Sequence, residues 1–484
     1  MFVTILKKEF MENLANRRFW MALILCVLII PLGFYMGSKE AQSRADQYQE
    51  SMKFYRESHQ TVADISLRGG KAFRSPSPLS FMASGVEHLF PSAVVSVGFL
   101  TYRGAQIRLL NDRSLDNPYS LLYGRLDMTF ITVNILAILA MIFTFNTISG
   151  EKESRCLSQI LSNSVARPTL ILAKTAAPVC ILSMALITGI LLGAGLLILE
   201  GSPVFSDKTL FTLFLSGITA TLLFIAVFIM LGLMISCLTR RAANTILLLM
   251  ACWVLFAMIL PRTGGILAKL LIPVKSRQVI EMEKNQLRLQ AEQNMEQAIS
   301  DLMNSSPNIR NQSISNFLNN LRSGNEEAQA YQEAQDRIQE ENKTRLAADL
   351  EDLERHYQNK RNRQMALARH LARLSPVTCF THILIELSHT GFLEFREWQK
   401  TRSEFTGLLN REICDRADPS LRFKNFSSSR SNVDRQAPAP VYTPRPVLLS
   451  SVFQNILPDT LLLFLYGILF FAGAHAAFIR YDVR

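Results

Sequence analysis

Six stretches of about twenty mostly apolar residues, 19–37, 127–148, 176–198, 210–238, 242–260 and 456–479, leave this chain few folds to choose from. A helix needs ~20 such residues to cross a hydrocarbon core of ~30 Å, and in lipid the backbone must satisfy its own hydrogen bonds. The expected fold is an all-α polytopic membrane protein with six transmembrane helices. Composition agrees, since 49% of the residues are hydrophobic and only 19% are charged. The net charge of +11 could suggest nucleic acid. Basic residues flanking membrane spans give the same total, so no nucleic-acid partner is inferred. The first run follows Lys7, Lys8, Arg17 and Arg18 as a signal peptide would. It is long and no clear cleavage site follows, so it reads as an uncleaved anchor.

Orientation follows from the short loops, where Lys and Arg favour the cytoplasm. The amino-terminus carries the four basic residues just named. The connector between spans two and three holds Lys152, Arg155, Arg167 and Lys174, the turn between spans four and five holds Arg240 and Arg241, and the tail holds Arg480 and Arg484. A six-span path places all four segments on one side. Both termini are therefore expected in the cytoplasm. The expected organisation is 1–37, an interfacial helix and span one; 38–125, a first extracytoplasmic segment; 126–261, spans two to five with the cytoplasmic loop 149–174; 262–455, a second extracytoplasmic domain; and 456–484, span six and the tail.

The second outer segment opens with a seam of Ile280, Leu287, Ala291, Met295, Ala298 and Leu302, interrupted by Lys284. After an Asn/Ser/Pro break, a second run over 326–374 repeats Leu346, Leu350, Leu353, Tyr357, Leu367 and Leu371. The spacing predicts an antiparallel helical hairpin, either a partner-binding stalk or a solvated support. A Ser/Arg/Pro-rich linker, 425–446, leads into the last span.

Chemical motifs are sparse. No Gly-rich phosphate loop is present, so no nucleotide cofactor is expected in this chain. His382, Glu386 and His389 would share one face of a helix, as metal ligands must, but no fourth ligand is indicated and no metal site is assigned. Cys379 and Cys414 lie in a segment where a disulfide is permitted. Asn134, Asn146 and His475 within the spans read either as groups lining a pathway or, more simply, as helix-packing groups. The spans lack the interior charges of a proton-coupled carrier, apart from Asp127 and Asp459 near span ends. The loop ISGEKESRCLSQILSNSVARPTLILAK reads either as an ordinary charged loop with basic anchors or as a coupling helix pushed by another protein.

That loop resembles the corresponding region of ABC-2 type transporter permeases, with Gly150, Glu151, Lys152 and Glu153, then Leu157, Leu161 and Ser162, then Arg167 and Lys174. ILKKEFMENLANRRFW, with Lys7, Lys8, Glu9, Arg17 and Arg18, is similar to the family's interfacial opening helix, and FIRYDVR to its ending. SPSPLSFMASGVEHLFP and LSPVTCFTHILIELSHTGF look like the subgroup with large extracytoplasmic insertions, although His389-Thr390-Gly391 stands where that subgroup has Gly-Thr-Gly. The resemblance implies a permease subunit of a bacterial inner membrane, without enzyme activity of its own, that pairs with a second permease copy or a related one. ATP and Mg would be bound by a separate ABC ATPase subunit engaging the loop and the amino-terminal helix. Glu151 and Glu153 would support the coupling helix, with Arg167 and Lys174 anchoring its return. Transport, most simply export, is one expectation. A mechanotransmitter acting on an envelope protein is a second, and a membrane enzyme built on His382 and Glu386 is a third.

Overall fold

The computed structural model describes residues 2–61, 70–87, 93–96, 109–110, 126–162, 166–306, 313–323, 325–416, 438 and 440–480. Cys414's side chain, Leu161's side chain, linker residues 425–437 and Arg484 lie outside the described part. Six helices are long and apolar enough to cross a membrane. They are α2 (Arg17–Ser58), α3 (Met128–Glu153), α5 (Arg167–Leu199), α6 (Lys208–Leu238), α7 (Ala242–Leu271) and α13 (Leu449–Ile479). Each contains one of the six apolar runs, save that Asp127 caps α3 from outside it.

A short helix, α1 (Phe2–Ala15), precedes them. Asn16 then ends one helix and starts the next, its side-chain oxygen accepting the N–H of Arg18 at 3.1 Å. Asn favours this site because it supplies an acceptor to an orphan helical N–H. With 42 residues, α2 is about 63 Å long at 1.5 Å per residue, twice the hydrocarbon thickness. The helix therefore does not stop at Gly37. It continues through the polar stretch that follows, where Tyr55 packs on Phe73 at the edge of a small antiparallel sheet. That sheet pairs β1 (Gly70–Phe73) with β2 (Ala93–Ser96) in the register Gly70↔Ser96, and β2 with β3 (Leu109–Leu110).

Two compact units result. The first comprises Met1–Pro261 and Arg373–Arg484, the second Arg262–Ala372. In the first, α2 packs along α5 and α6 along α13. The α2–α5 approach is close enough that a Cβ on Gly189 would stand 2.7 Å from the Cys26 carbonyl oxygen. Small residues allow such contacts in membrane helices, where packing rather than water drives association. A short apolar helix, α11 (Pro376–Leu387), is buried beside α6 and α13, with Phe380 stacked on Phe224. After it, α12 (Phe392–Arg416) begins.

In the second unit, α8 (Arg277–Asn304) and α10 (Glu326–Ala372) pack together. Pairing runs from Lys284 with Glu354 at 2.6 Å to Asn342 Nδ2 with the Ala291 carbonyl at 2.9 Å. As one number rises the other falls, so the helices are antiparallel. Lys284, which interrupts the apolar seam, is accommodated by that carboxylate. A short helix, α9 (Ile314–Arg322), lies between them in the chain.

Candidate functional site

Four chain segments that are distant in sequence meet at one end of the first unit: α1, the 149–174 connector, the 239–242 turn and the end of α13. At their centre is Lys174, two helical turns into α5 from Arg167 and only 1% exposed. Its ammonium donates to Glu9 Oε1 at 2.9 Å and to Glu151 Oε1 at 2.6 Å. A buried ammonium is tolerated only when paired and hydrogen-bonded, and each carboxylate comes from a different segment. The pairing thus fastens α1 and the end of α3 to α5. Lys8 adds a second cation, 3.7 Å from Glu9 and 3.2 Å from Glu12. Burial works against its charge, but Glu12, Glu9 and Glu151 outweigh that and hold the ammonium above its ordinary range.

The other charged groups of the connector sit at helix ends. Lys152 donates to the carbonyls of Cys237 and, at 3.1 Å, Thr239, where α6 finishes. Arg167 donates to the carbonyls of Ile479 at 2.7 Å and Phe478 at 3.4 Å, where α13 finishes. Glu153 Oε2 accepts the N–H of Ala242 at 3.1 Å, where α7 starts. Cations thus meet carbonyl ends and an anion meets an N–H end, the arrangement that satisfies both orphan backbone groups and helix dipoles. The final helical turn of α3, Ser149–Glu153, has no cap from its own chain neighbour. Ser236 of α6 supplies one, its Oγ accepting from Ile148 N at 3.1 Å and Ser149 N at 3.0 Å. Arg155, in the left-handed region at φ 60°, then turns the chain into α4 (Cys156–Ser162). Leu157 anchors α4 by burying itself against Ile148, Leu170, Leu233 and Phe478.

The model of the ABC-2 family transporter protein family matches residues 3–335, which include α1, the whole connector and Lys174. The chain belongs to that family. It is a transmembrane ABC transporter subunit that crosses the membrane several times. The match ends before α13, so the ABC-2 model does not include the carbonyls gripped by Arg167. No curated protein matches the chain.

In this ABC-2 subunit the loop residues singled out in the sequence, Glu151, Lys152, Glu153, Leu157, Arg167 and Lys174, are brought to one end together with Glu9. Arg18 joins them, its guanidinium 4.9 Å from the Phe145 ring centre. Lys7 and Arg17 are exposed. Sequence reasoning overlooked Ser236, whose one signal is a small hydroxyl in an otherwise apolar run.

Two further stretches, 77–86 and 388–390, also meet, at another part of the same unit. Ser77 Oγ donates to the Ser388 carbonyl at 2.5 Å, Thr390 Oγ1 to the Ala83 carbonyl at 2.8 Å, and Val86 N to the Thr390 carbonyl at 3.1 Å. Gly85 makes the turn at φ +49°, and a Cβ there would lie 2.6 Å from Thr390 Oγ1. Thr390, the middle residue of the departing His-Thr-Gly, carries this contact, and His389 has φ 54°. The helix α11 ends at Leu387, so His389 does not share its face with His382 and Glu386. His389 Nδ1 turns to Glu394 at 3.0 Å, and His382 Nδ1 lies 3.7 Å from Asp459. The three side chains do not converge as a metal would require. Cys379 is a buried free thiol. Asn134 is satisfied by the Phe130 carbonyl of its own helix at 3.0 Å.

Proposed function

We propose that this chain is the permease subunit of an ATP-driven exporter, moved by a separate ABC ATPase that docks where Lys174, Glu9 and Glu151 meet. The observation that carries the reading is the buried Lys174 with its two carboxylates. Through it α1 and the connector form one body with α5, so a push on either is delivered to the spans. A loop without a catalytic group can transmit work if ATPase binding favours one of two membrane arrangements. The basic residues gathered at this end support its placement in the cytoplasm, where ATP is found. The ATPase would supply ATP and Mg, and a second permease copy or a related chain would complete the transporter. Co-expression with the ATPase encoded nearest to it, followed by solubilisation and affinity capture, tests the docking. The ATPase should co-purify with the wild-type chain, and Ser154→Arg, at an exposed position of the connector that leaves the Lys174 pairing intact, should abolish its capture. Equal capture by both would refute the docking site.

One observation favours a second reading, in which the subunit moves an envelope protein: the antiparallel α8–α10 pair is largely polar on its exposed faces. Because Lys284 faces Glu354, deleting 285–353 shortens both helices in register. Export should survive that deletion. Action on an envelope partner should not.

A further inference from the structure

The last span is held at both ends by arginines from other elements. At one end Arg167 takes the carbonyls of Phe478 and Ile479. Toward the other, Asp459 is fully buried, and Arg373 meets it with two prongs: Nε to Oδ1 at 2.6 Å and Nη2 to Oδ2 at 3.0 Å. Further bonds reinforce the second grip. Tyr466 of α13 donates its hydroxyl to the Arg373 carbonyl at 3.2 Å. Ser375 caps α11 through the N–H of Val377 at 3.1 Å and donates to the Phe256 carbonyl of α7 at 2.6 Å. Phe256 lies in the π-helical turn Val254–Ile259, a departure from α geometry of the kind that recurs at functional sites.

Three physical facts make the interval between the grips behave as one piece. From 459 to 479 the helix rises about 30 Å, the hydrocarbon thickness. Its one proline, Pro458, falls just outside the interval, so no proline interrupts the hydrogen-bond ladder between the grips. A charge pair buried among apolar helices is costly to separate, so the two partners shift together rather than part.

We propose that α13 is the rod of this transporter, carrying displacement from the connector, through Arg167, to α11 through the Asp459–Arg373 pair. Arg373 and Asp459 are thus positioning residues, and α11 is the element they move. The proposal rests on the connector being the driven end. The coupling itself is a property of this chain alone, so it is tested without the ATPase.

Amide exchange is measured over 376–391 in the full chain reconstituted in nanodiscs. Arg167→Ala should change exchange there by about 2- to 30-fold, the range expected for coupling through a packed network. Arg167→Lys should restore most of the wild-type rate. In an Arg373→Gln, Asp459→Asn background, which removes both charges and strands neither, the effect of Arg167→Ala should fall below about 1.5-fold, under the lower limit of such coupling. Unchanged exchange over α2 and α5 verifies that this background is folded. The proposal is overturned if Arg167→Ala leaves 376–391 unaltered, or alters it equally with and without the Arg373–Asp459 pair. Equal ATPase capture by the wild type and the docking variant, with the coupling intact, would instead refute the docking site and leave the rod standing.

Discussion

Replacing Lys174 by Met keeps the length of the side chain and removes the cation that Glu9 and Glu151 share. Lys174 is 1% exposed, so water cannot take its place at the two carboxylates. Removing one partner of a buried ion pair costs about 3–5 kcal/mol because the other charge is left uncompensated. Two features place this site at the lower end. Glu151 keeps a partly exposed side chain, and Lys8 stays 3.7 Å from Glu9. We therefore expect about 3 kcal/mol, or roughly a 100-fold rise in local opening of α1 and the connector at 1.4 kcal/mol per factor of ten. Amide exchange over 2–15 and 149–162 in detergent or nanodiscs reads this directly. Adding Glu151→Gln should recover a large part of the loss, because it removes one of the stranded charges. Lys7→Met, at an exposed position on α1, should stay within about 0.5 kcal/mol of wild type. A Lys174→Met variant that resembles Lys7→Met, or that Glu151→Gln makes worse, would refute the pairing as the fastener of this end.

Two further outcomes follow from local geometry. Gly85→Ala should destabilise the junction of 77–86 with 388–390, since φ +49° disfavours an L side chain and the Cβ would collide with Thr390; faster exchange over 79–87 and 388–391 checks it. Glu354 is opposed by burial but held below its ordinary range by Lys284, Gln358 and Arg277. A depressed carboxylate stabilises the fold above its unfolded pKa and loses that contribution as pH falls through the folded value. Protection over 277–304, corrected for intrinsic exchange, should therefore decline below about pH 4.5, with Glu354→Gln flattening the decline.

The six spans were legible because hydrocarbon imposes a length and a polarity that the sequence must display continuously. Seam residues such as Ile280 and Ala291 likewise announced the α8–α10 pair through helical spacing. The continuation of α2 to Ser58 was not visible, because the polarity change at Ser38 marks where lipid would end and not where a helix ends. At the site, residue types such as Glu151 and Lys174 could be nominated from a loose motif. Their union with Glu9 could not, since nothing local links positions 9, 151 and 174. The Arg373–Asp459 pair was hidden for the same reason. Asp459 read as a span-end carboxylate, and its partner lies 86 residues away.

Coupling to an ATPase requires the Lys174 end to face the compartment that holds ATP. Cys156 is an exposed thiol on α4, within that end. In a chain whose other cysteines are replaced, it should react with a membrane-permeant maleimide in intact cells. A membrane-impermeant maleimide should reach it only after the inner membrane is opened. Labelling of Cys156 by the impermeant reagent in cells with an intact inner membrane would contradict the account.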